Sequence, residues 1–456
     1  MNYTYLFQNC GEKTSLVGII GATKGYGYTL LAQIRKVEYM RLRLVSSRHP
    51  EECVAVLTEL GYPVEQFCIC ETKEEVNQAG KDAILIVKDY RLAVESDVTS
   101  LVECTGNTAV SADVAVSALK KGINVYMVSK ETDSVCGPAL NQLAAKHNAV
   151  YALVNGDQPR NLVDLYSWGK VLGLEIIAAG KASEYDYVWN PDTGDFYLTN
   201  DPSKVENIPE LKEVWHYQGR QTVEQRGDML KKYAGTISAD LCEMNLVSNV
   251  TGLVPSKSTL SYPIAKPSEL ADIFIPEEDG GILKKTGVVD VFYNFRAPDE
   301  ASFGGGEFII VKCENQSVWE LLEGKGHVVG KNGKYACIYL PYHIMGVESP
   351  LSILLGDLLG IGSCPDCRQI SVLTGVAETD LPAGTQLKVE GHNHAIAGLL
   401  PRLYESGEAE NAAPYYLLNG ATLTKSVAKG QPITMDAVDL SGSLTCELYL
   451  EGKKLS

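Results

Sequence analysis

The apolar and polar positions in the first third of the chain switch repeatedly between two periods. Leu16 to Ile20 is an unbroken apolar run. Closely spaced glycines follow, at Gly21, Gly25 and Gly27, and then Leu30, Leu31 and Ile34 recur on one side of a helical pattern. This predicts strand, tight turn, helix. Further strands are predicted over 41–45, 64–70, 82–87, 98–103, 124–128 and 149–154, with helices over 50–60, 109–121 and 137–147. Strands alternating with helices of about 10–15 residues predict βαβ units and a parallel, doubly wound sheet. The fold class is therefore α/β, with a Rossmann-like dinucleotide-binding domain over 1–155.

The glycine turn presents backbone N–H groups at a helix N-terminus, a site suited to a pyrophosphate. Gly21, Thr23, Lys24, Gly25 and Gly27 are the residues offered to it. Their spacing departs from Gly-x-Gly-x-x-Gly, and a plain strand-to-helix turn is the competing reading. The second strand ends Val45-Ser46-Ser47-Arg48-His49, without the acid that usually holds a ribose 2′-hydroxyl. Two hydroxyls and a guanidinium suit a 2′-phosphate instead, so NADP(H) is expected over NAD(H). On the bland reading Arg48 is a solvated surface charge. A second small-residue turn containing Thr105 and Gly106 follows the strand that ends at Glu103, where a nicotinamide would lie.

The pattern changes at Gly156-Asp157-Gln158-Pro159, which opens a second domain assigned to 156–365. It has a helix over 161–172 and a short strand over 176–180 that ends at Lys181. Residues 184–233 are polar with little periodicity and read as long loops or a lid around a substrate. A helix over 238–250 and strands of an antiparallel sheet over 286–296 and 306–313 follow. The apolar helix from Pro350 to Leu359 is expected to pack back on the first domain. Residues 366–456 read as a small β-rich module with a weak internal repeat, 380–387 against 426–433.

Composition narrows the function classes. The net charge is −17 and no basic run exceeds a lysine pair, which argues against nucleic acid or an anionic membrane as partner. No stretch approaches ~18 uninterrupted apolar residues, and the N-terminus has no signal-peptide pattern, so a cytoplasmic protein is expected. The twelve cysteines are scattered and read as reduced. Cys364-x-x-Cys367 lacks a second Cys or His pair at zinc spacing, and His392-Asn393-His394 would need the fold to bring it near; no metal site is assigned. A loosely held divalent ion would leave no readable motif.

Several stretches together carry a resemblance. Val-Glu-Cys-Thr-Gly and Gly-Ile-Asn-Val-Tyr-Met-Val-Ser-Lys-Glu, within 98–131, resemble the Rossmann half of homoserine dehydrogenases. Gly156-Asp157-Gln158-Pro159, Ala179-Gly180-Lys181, the helix around Glu243, Leu340-Pro341-Tyr342-His343 and Glu348 narrow this further. They resemble homoserine-dehydrogenase-like NAD(P)-dependent oxidoreductases with a C-terminal SAF (β-clip) domain. Some of that group are similar to 1-deoxy-D-xylulose 5-phosphate reductoisomerases. The repeat in 366–456 resembles the two signature segments of the SAF domain. One departure stands out: where members carry Asp-Gly-Thr-Lys, this chain reads Ala234-Gly235-Thr236-Ile237.

Hydride transfer to a carbonyl needs orientation and a cation or proton donor at the developing alkoxide. Lys130, just after a parallel strand at the ligand-binding edge, is one candidate, and the resemblance places a lysine at the matching turn. Lys181, ending a strand, is the second. Asp240 and Glu243 share a helix face and would bind substrate hydroxyls or hold a lysine; helix-dipole pairing is the plainer role for Asp240. His343 is the histidine most suited to a cleft. The function expected is an NADP-dependent oxidoreductase acting on a small polar hydroxy or oxo compound, as a homodimer. One alternative is a reductoisomerase on a phosphorylated ketose, which would need cations such as Lys231, Lys232 or Lys257 unless these are ordinary surface lysines. The other is an inactive dinucleotide-binding regulator.

Overall fold

The structure, a computed structural model, describes residues 2–11, 13–364, 366–391 and 393–455. The chain divides into two compact units. One holds residues 1–160, 344–369 and 440–456, the other 161–343 and 370–439. The segment 366–456, read from sequence as one module, is thus shared between the two.

The first unit is built on seven parallel strands: β1 (Ser15–Ile20), β2 (Met40–Ser46), β3 (Phe67–Cys70), β4 (Ile84–Val87), β5 (Ser100–Glu103), β6 (Asn124–Met127) and β7 (Tyr151–Leu153). Their order is β3-β4-β2-β1-β5-β6-β7. The order reverses beside β1, which has β2 on one side and β5 on the other. A doubly wound sheet opens its crevice at the carboxyl ends of the strands at such a point. The doubly wound parallel sheet is therefore as the periodicity implied.

The helix Ser349–Leu359 belongs to this unit, as its apolar pattern suggested, and buries Ile353, Leu354 and Leu358 in the sheet's core. Its one interior acid, Asp357, fastens it to the sheet. The Asp357 carboxylate accepts from the hydroxyls of Ser15, Thr99 (2.8 Å), Ser100 (2.9 Å) and Tyr126 (2.7 Å) and from the Asn124 amide (2.8 Å). Ser15, Ser100 and Asn124 begin β1, β5 and β6, so the clamp holds the amino edge of the sheet and leaves the carboxyl edge open.

The helix expected from Gly137 begins earlier, at Lys130, and runs to Lys146 through Pro138. Its first turns are polar, which hid them from an apolar count. They are buried all the same, as Glu131, Thr132 and Asp133 show. The Tyr151 hydroxyl donates to Asp133 at 2.8 Å. Burial pushes the Asp133 carboxyl up to about 6, against this hydrogen bond.

The folded chain thus holds the Asp133 proton more tightly than the unfolded chain, whose aspartates titrate near 4. Burial of this group costs nothing below about pH 4 and increasingly destabilises the fold as the pH rises towards 6. Asp133→Asn is expected to remove that loss and to raise stability near neutral pH by about 2–3 kcal/mol. Urea unfolding of both proteins across this range checks it; parallel curves for the two would contradict it.

The second unit carries a mixed sheet. Its central strand, Ile176–Ala182, is parallel to Val288–Arg296 and antiparallel to Glu307–Lys312. The two strands expected of an antiparallel sheet, over 286–296 and 306–313, run in opposite directions in this sheet, with Ile176–Ala182 between them. Both its faces are covered, so every residue of it is buried, Lys181 included.

Residues 184–233 are not long loops. They form strands Tyr187–Trp189, Asp195–Leu198 and Glu206–Asn207, a short turn of helix at Pro209–Val214 and the helix Arg220–Met229. Tyr187, Trp189 and Phe196 pack with Leu211, Leu230 and Phe295 in a core of their own. The region scored as polar because its core is aromatic and its strands are short. A buried ion pair, Arg226 with Glu269, adds to that polarity.

The two halves of the C-terminal repeat lie side by side in this unit. Leu381 and Val427 exchange backbone hydrogen bonds at 2.9 and 2.8 Å, and the Gly384 amide donates to the Leu423 carbonyl at 2.7 Å.

Candidate functional site

In the first unit a cavity of about 580 Å³ opens where β1, β2 and β5 end. Ile20 and Gly21 line it from β1, Ser46, Ser47 and Arg48 from β2, and Cys104 and Thr105 from β5. Gly21 (φ 86°) and Gly25 (φ 56°) adopt the left-handed conformation that the turn needs. Gly27 is needed for a different reason. A Cβ there would lie 2.5 Å from the Gly21 carbonyl oxygen, so only glycine lets the helix Gly25–Ile34 start against the turn. Thr23 and Lys24 also line the cavity, Lys24 at the helix's N-cap.

Three cations on these walls, Lys24, Arg48 and Lys88, are exposed and make no ion pair among the described residues. The acid on the wall is Glu52, which accepts from the Thr23 hydroxyl at 3.4 Å. Unpaired cations, a positive helix terminus and close-packed glycine backbone form a set of donors suited to a polyphosphate. The chain's residues here fit a dinucleotide. Lys88, Tyr90 and Glu52 escaped the sequence reading, since none sits within the glycine turn or at the end of β2, and His49 was read at that strand end without a role. Lys88 does directly follow β4, a signal that was available.

Beyond β5 the chain is held by Glu103, fully buried at the strand end. Its carboxyl accepts from the Thr105 amide (2.9 Å) and hydroxyl (2.5 Å). Burial raises its pKa, against the hydrogen bonds of Ser129, Thr105 and Ser111. The Gly106 amide donates to the Ser129 hydroxyl at 2.8 Å, so Thr105 and Gly106 are fixed to the turn that precedes Lys130. Lys130 is half-buried at the first position of its helix.

In the second unit Lys181 is 1% exposed. Its ammonium donates to Asp240 at 2.9 Å and to Glu243, both on the helix Ser238–Thr251. The expected shared face of Asp240 and Glu243 is therefore turned to Lys181. The hydroxyls of Ser183 (2.8 Å) and Tyr262 (3.2 Å) complete the Asp240 carboxylate. Burial raises the Asp240 pKa; Lys181 opposes that and Glu243 adds to it.

Glu307 stands opposite Lys181 in the strand register and is also fully buried. Sequence reading missed it, although an acid opening an apolar strand after three glycines was visible. Tyrosines also grip the Ala234–Ile237 turn. Tyr293 donates to the Gly235 carbonyl at 2.5 Å, and the Ile237 amide donates to Tyr262 at 3.3 Å. His343 is half-buried, its Nδ1 3.2 Å from the Gly305 carbonyl.

No group of three or more His, Cys, Asp or Glu suited to a metal occurs among the described residues. His392 lies outside them. None of their helices is long and apolar enough to cross a membrane.

Residues 156–349 match the family model described as oxidoreductase DRL, catalytic domain. That match covers less than half of the chain. No curated protein matches the sequence.

Among solved structures, a probable dehydrogenase from Thermotoga maritima is 12% identical over 76% of this chain and 89% of its own, with a TM-score of 0.36. Scyllo-inositol dehydrogenase from Lactobacillus casei, bound to NAD(H) and scyllo-inositol, is 12% identical over 72% and 76%, with a TM-score of 0.34. 1-Deoxy-D-xylulose 5-phosphate reductoisomerase from Zymomonas mobilis, in complex with NADPH, is 12% identical over 52% and 58%, with a TM-score of 0.30. The chain spans about half the length of the DOX-P reductoisomerase structures it matches, 46% of the one with magnesium. Likenesses this remote carry no weight for substrate or cofactor.

Proposed function

We propose that this enzyme is an NADP(H)-preferring oxidoreductase acting on a small polar hydroxy or oxo compound. The observation that carries the reading is the cavity at the ends of β1, β2 and β5. There Ser46, Ser47 and the unpaired Arg48 stand where an acid would hold a ribose. When bound, the nicotinamide supplies or accepts the hydride.

The chain's own residues divide the remaining work. Lys24, Lys88 and the helix N-terminus hold phosphates, and Arg48 with the two serines takes the 2′-phosphate. Glu103 fixes the turn with Thr105 and Gly106. Lys130 of the first unit and Lys181 of the second are each a candidate for the cation on the substrate oxygen, and Glu243 is the candidate for positioning substrate. Lys181 works inside a cluster with Asp240 and Glu243, and burial favours the proton on Asp240. His343 is kept as a lesser candidate. The side-by-side repeat supports an SAF-like character for the C-terminal segment and, with it, the homoserine-dehydrogenase-like relationship.

The test is NADPH consumption by the full chain with a panel of small oxo acids, oxo alcohols and phosphorylated ketoses, with and without a divalent cation. Turnover of an unphosphorylated compound without metal supports the reading. Turnover confined to a phosphorylated ketose with metal overturns it in favour of a reductoisomerase. Binding without any turnover across the panel contradicts the assigned substrate class.

A further inference from the structure

The second unit has another cavity, of about 330 Å³, that the proposed chemistry does not use. One wall is apolar, formed by Val223, Pro263, Ile282 and Leu283. The rest is polar and unevenly charged. Arg220 is already neutralised, since its guanidinium holds Glu224 at 3.1 Å and Glu277 at 3.0 Å, and both acids belong to the same lining. Lys257 and Lys284 remain. Both are exposed, and neither makes an ion pair among the described residues. The hydroxyls of Ser256 and Ser261 meet between the walls at 3.4 Å.

The backbone carrying these groups is strained. Leu260 (φ 54°) and Tyr262 (φ 46°) flank Ser261 in the left-handed region, where a bulky aromatic residue is a rare outlier. Such strain persists only when the surroundings over-determine it, and it concentrates at ligand-holding sites. Here the surroundings are visible. The Ser261 amide donates to Asp290 at 2.6 Å, and the Leu403 amide donates to the Ser258 carbonyl at 2.8 Å. Tyr262 is tied to Ile237 and Asp240. Burial raises the Asp290 pKa, against hydrogen bonds from Ser256 and Ser261.

We propose that this cavity binds the phosphate-type dianion of a small molecule with an apolar body, held by Lys257, Lys284 and the hydroxyls of Ser256 and Ser261. Two ammonium groups and two hydroxyls supply charge-assisted bonds to a dianion. The apolar wall takes the rest of the molecule. The site is separate from the dinucleotide cavity, and the inference goes beyond the redox reading.

The experiment is calorimetric titration of the full chain, saturated with NADPH, using phenyl phosphate and inorganic phosphate at low salt. Wild type is expected to bind phenyl phosphate more tightly than inorganic phosphate. The double variant Lys257→Ala/Lys284→Ala is expected to weaken both by about tenfold or more. Both lysines are exposed, so the variant should melt like wild type. Arg48→Ala is expected to leave phosphate binding unchanged, and Lys325→Ala serves as the surface-charge control. No binding to wild type up to about 20 mM, a Kd beyond the weakest specific range, overturns the proposal. So does equal binding by the double variant, or a loss that follows Arg48→Ala instead.

Discussion

Lys181→Met is expected to destabilise the second unit by about 3–5 kcal/mol near neutral pH. The physical reason is the company that Lys181 keeps. Its side chain is 2% exposed and faces Asp240 and Glu243, at 3% and 2%. Removing Lys181 takes a buried cation away from two buried carboxylates. Breaking a buried ion pair from one side costs more than the pairing contributed.

The pH dependence has a definite sign. Burial already raises the Asp240 pKa and Lys181 opposes that, so without Lys181 the folded variant holds a proton there that the unfolded chain has released. Its deficit is complete above that raised value and shrinks as the pH falls through it. Adding Asp240→Asn and Glu243→Gln to Lys181→Met is expected to restore most of the stability, because neutral amides can still accept from Ser183 and Tyr262. Thermal melts of the single and triple variants at two pH values check this. An unchanged melt for Lys181→Met near neutral pH would refute it.

Arg226→Met is expected to cost a comparable amount, and Arg226→Lys nearly as much. Arg226 is 0% exposed. Its guanidinium holds both Glu269 oxygens, at 2.6 and 3.0 Å, and donates to the carbonyls of Val214 (2.8 Å), Ile264 (3.1 Å) and Trp215 (2.9 Å). It also stacks over the Phe295 ring at 5.2 Å. A lysine cannot make this planar fork, so the conservative change is not conservative here.

Breaking such a pair leaves a buried carboxylate and three orphaned carbonyls, a loss of about 3–5 kcal/mol and a melting shift of roughly ten degrees. The exposed Lys232–Glu206 pair is the control: Lys232→Met should leave the melt unchanged. Equal, small shifts for Arg226→Met and Lys232→Met would contradict the account.

Both predictions concern residues whose importance sequence reading saw only in part. The parallel sheet of the first unit was legible because aliphatic runs, glycine turns and helical stripes repeat at the spacing a βαβ unit demands. The second unit was harder to read. Tyr187, Trp189 and Phe196 of its aromatic core lie on strands of three and four residues, too short for a period to show, and Arg226 counts as polar although it is wholly buried. Pairing was the other hidden quantity. Asp240 and Glu243 were placed on one helix face from their spacing alone. That Lys181 meets them, and that Glu307 stands beside it, follows from a strand register that no local pattern encodes.

At the dinucleotide cavity the glycine turn and the end of β2 were readable. Lys88 was marked only by its place after β4, and that it and Glu52 share the cavity follows from the fold, which brings those strand and helix ends together.

The most direct test of the account is a fluorescence titration of the purified chain with NADPH and, separately, NADH, for wild type and Arg48→Ala. Wild type is expected to bind NADPH more tightly than NADH. Arg48→Ala is expected to weaken NADPH by about tenfold while leaving NADH nearly unchanged, since only the 2′-phosphate loses a charge-assisted partner. Equal weakening of both nucleotides, or a wild-type protein that binds neither at millimolar concentration, would contradict the central claim.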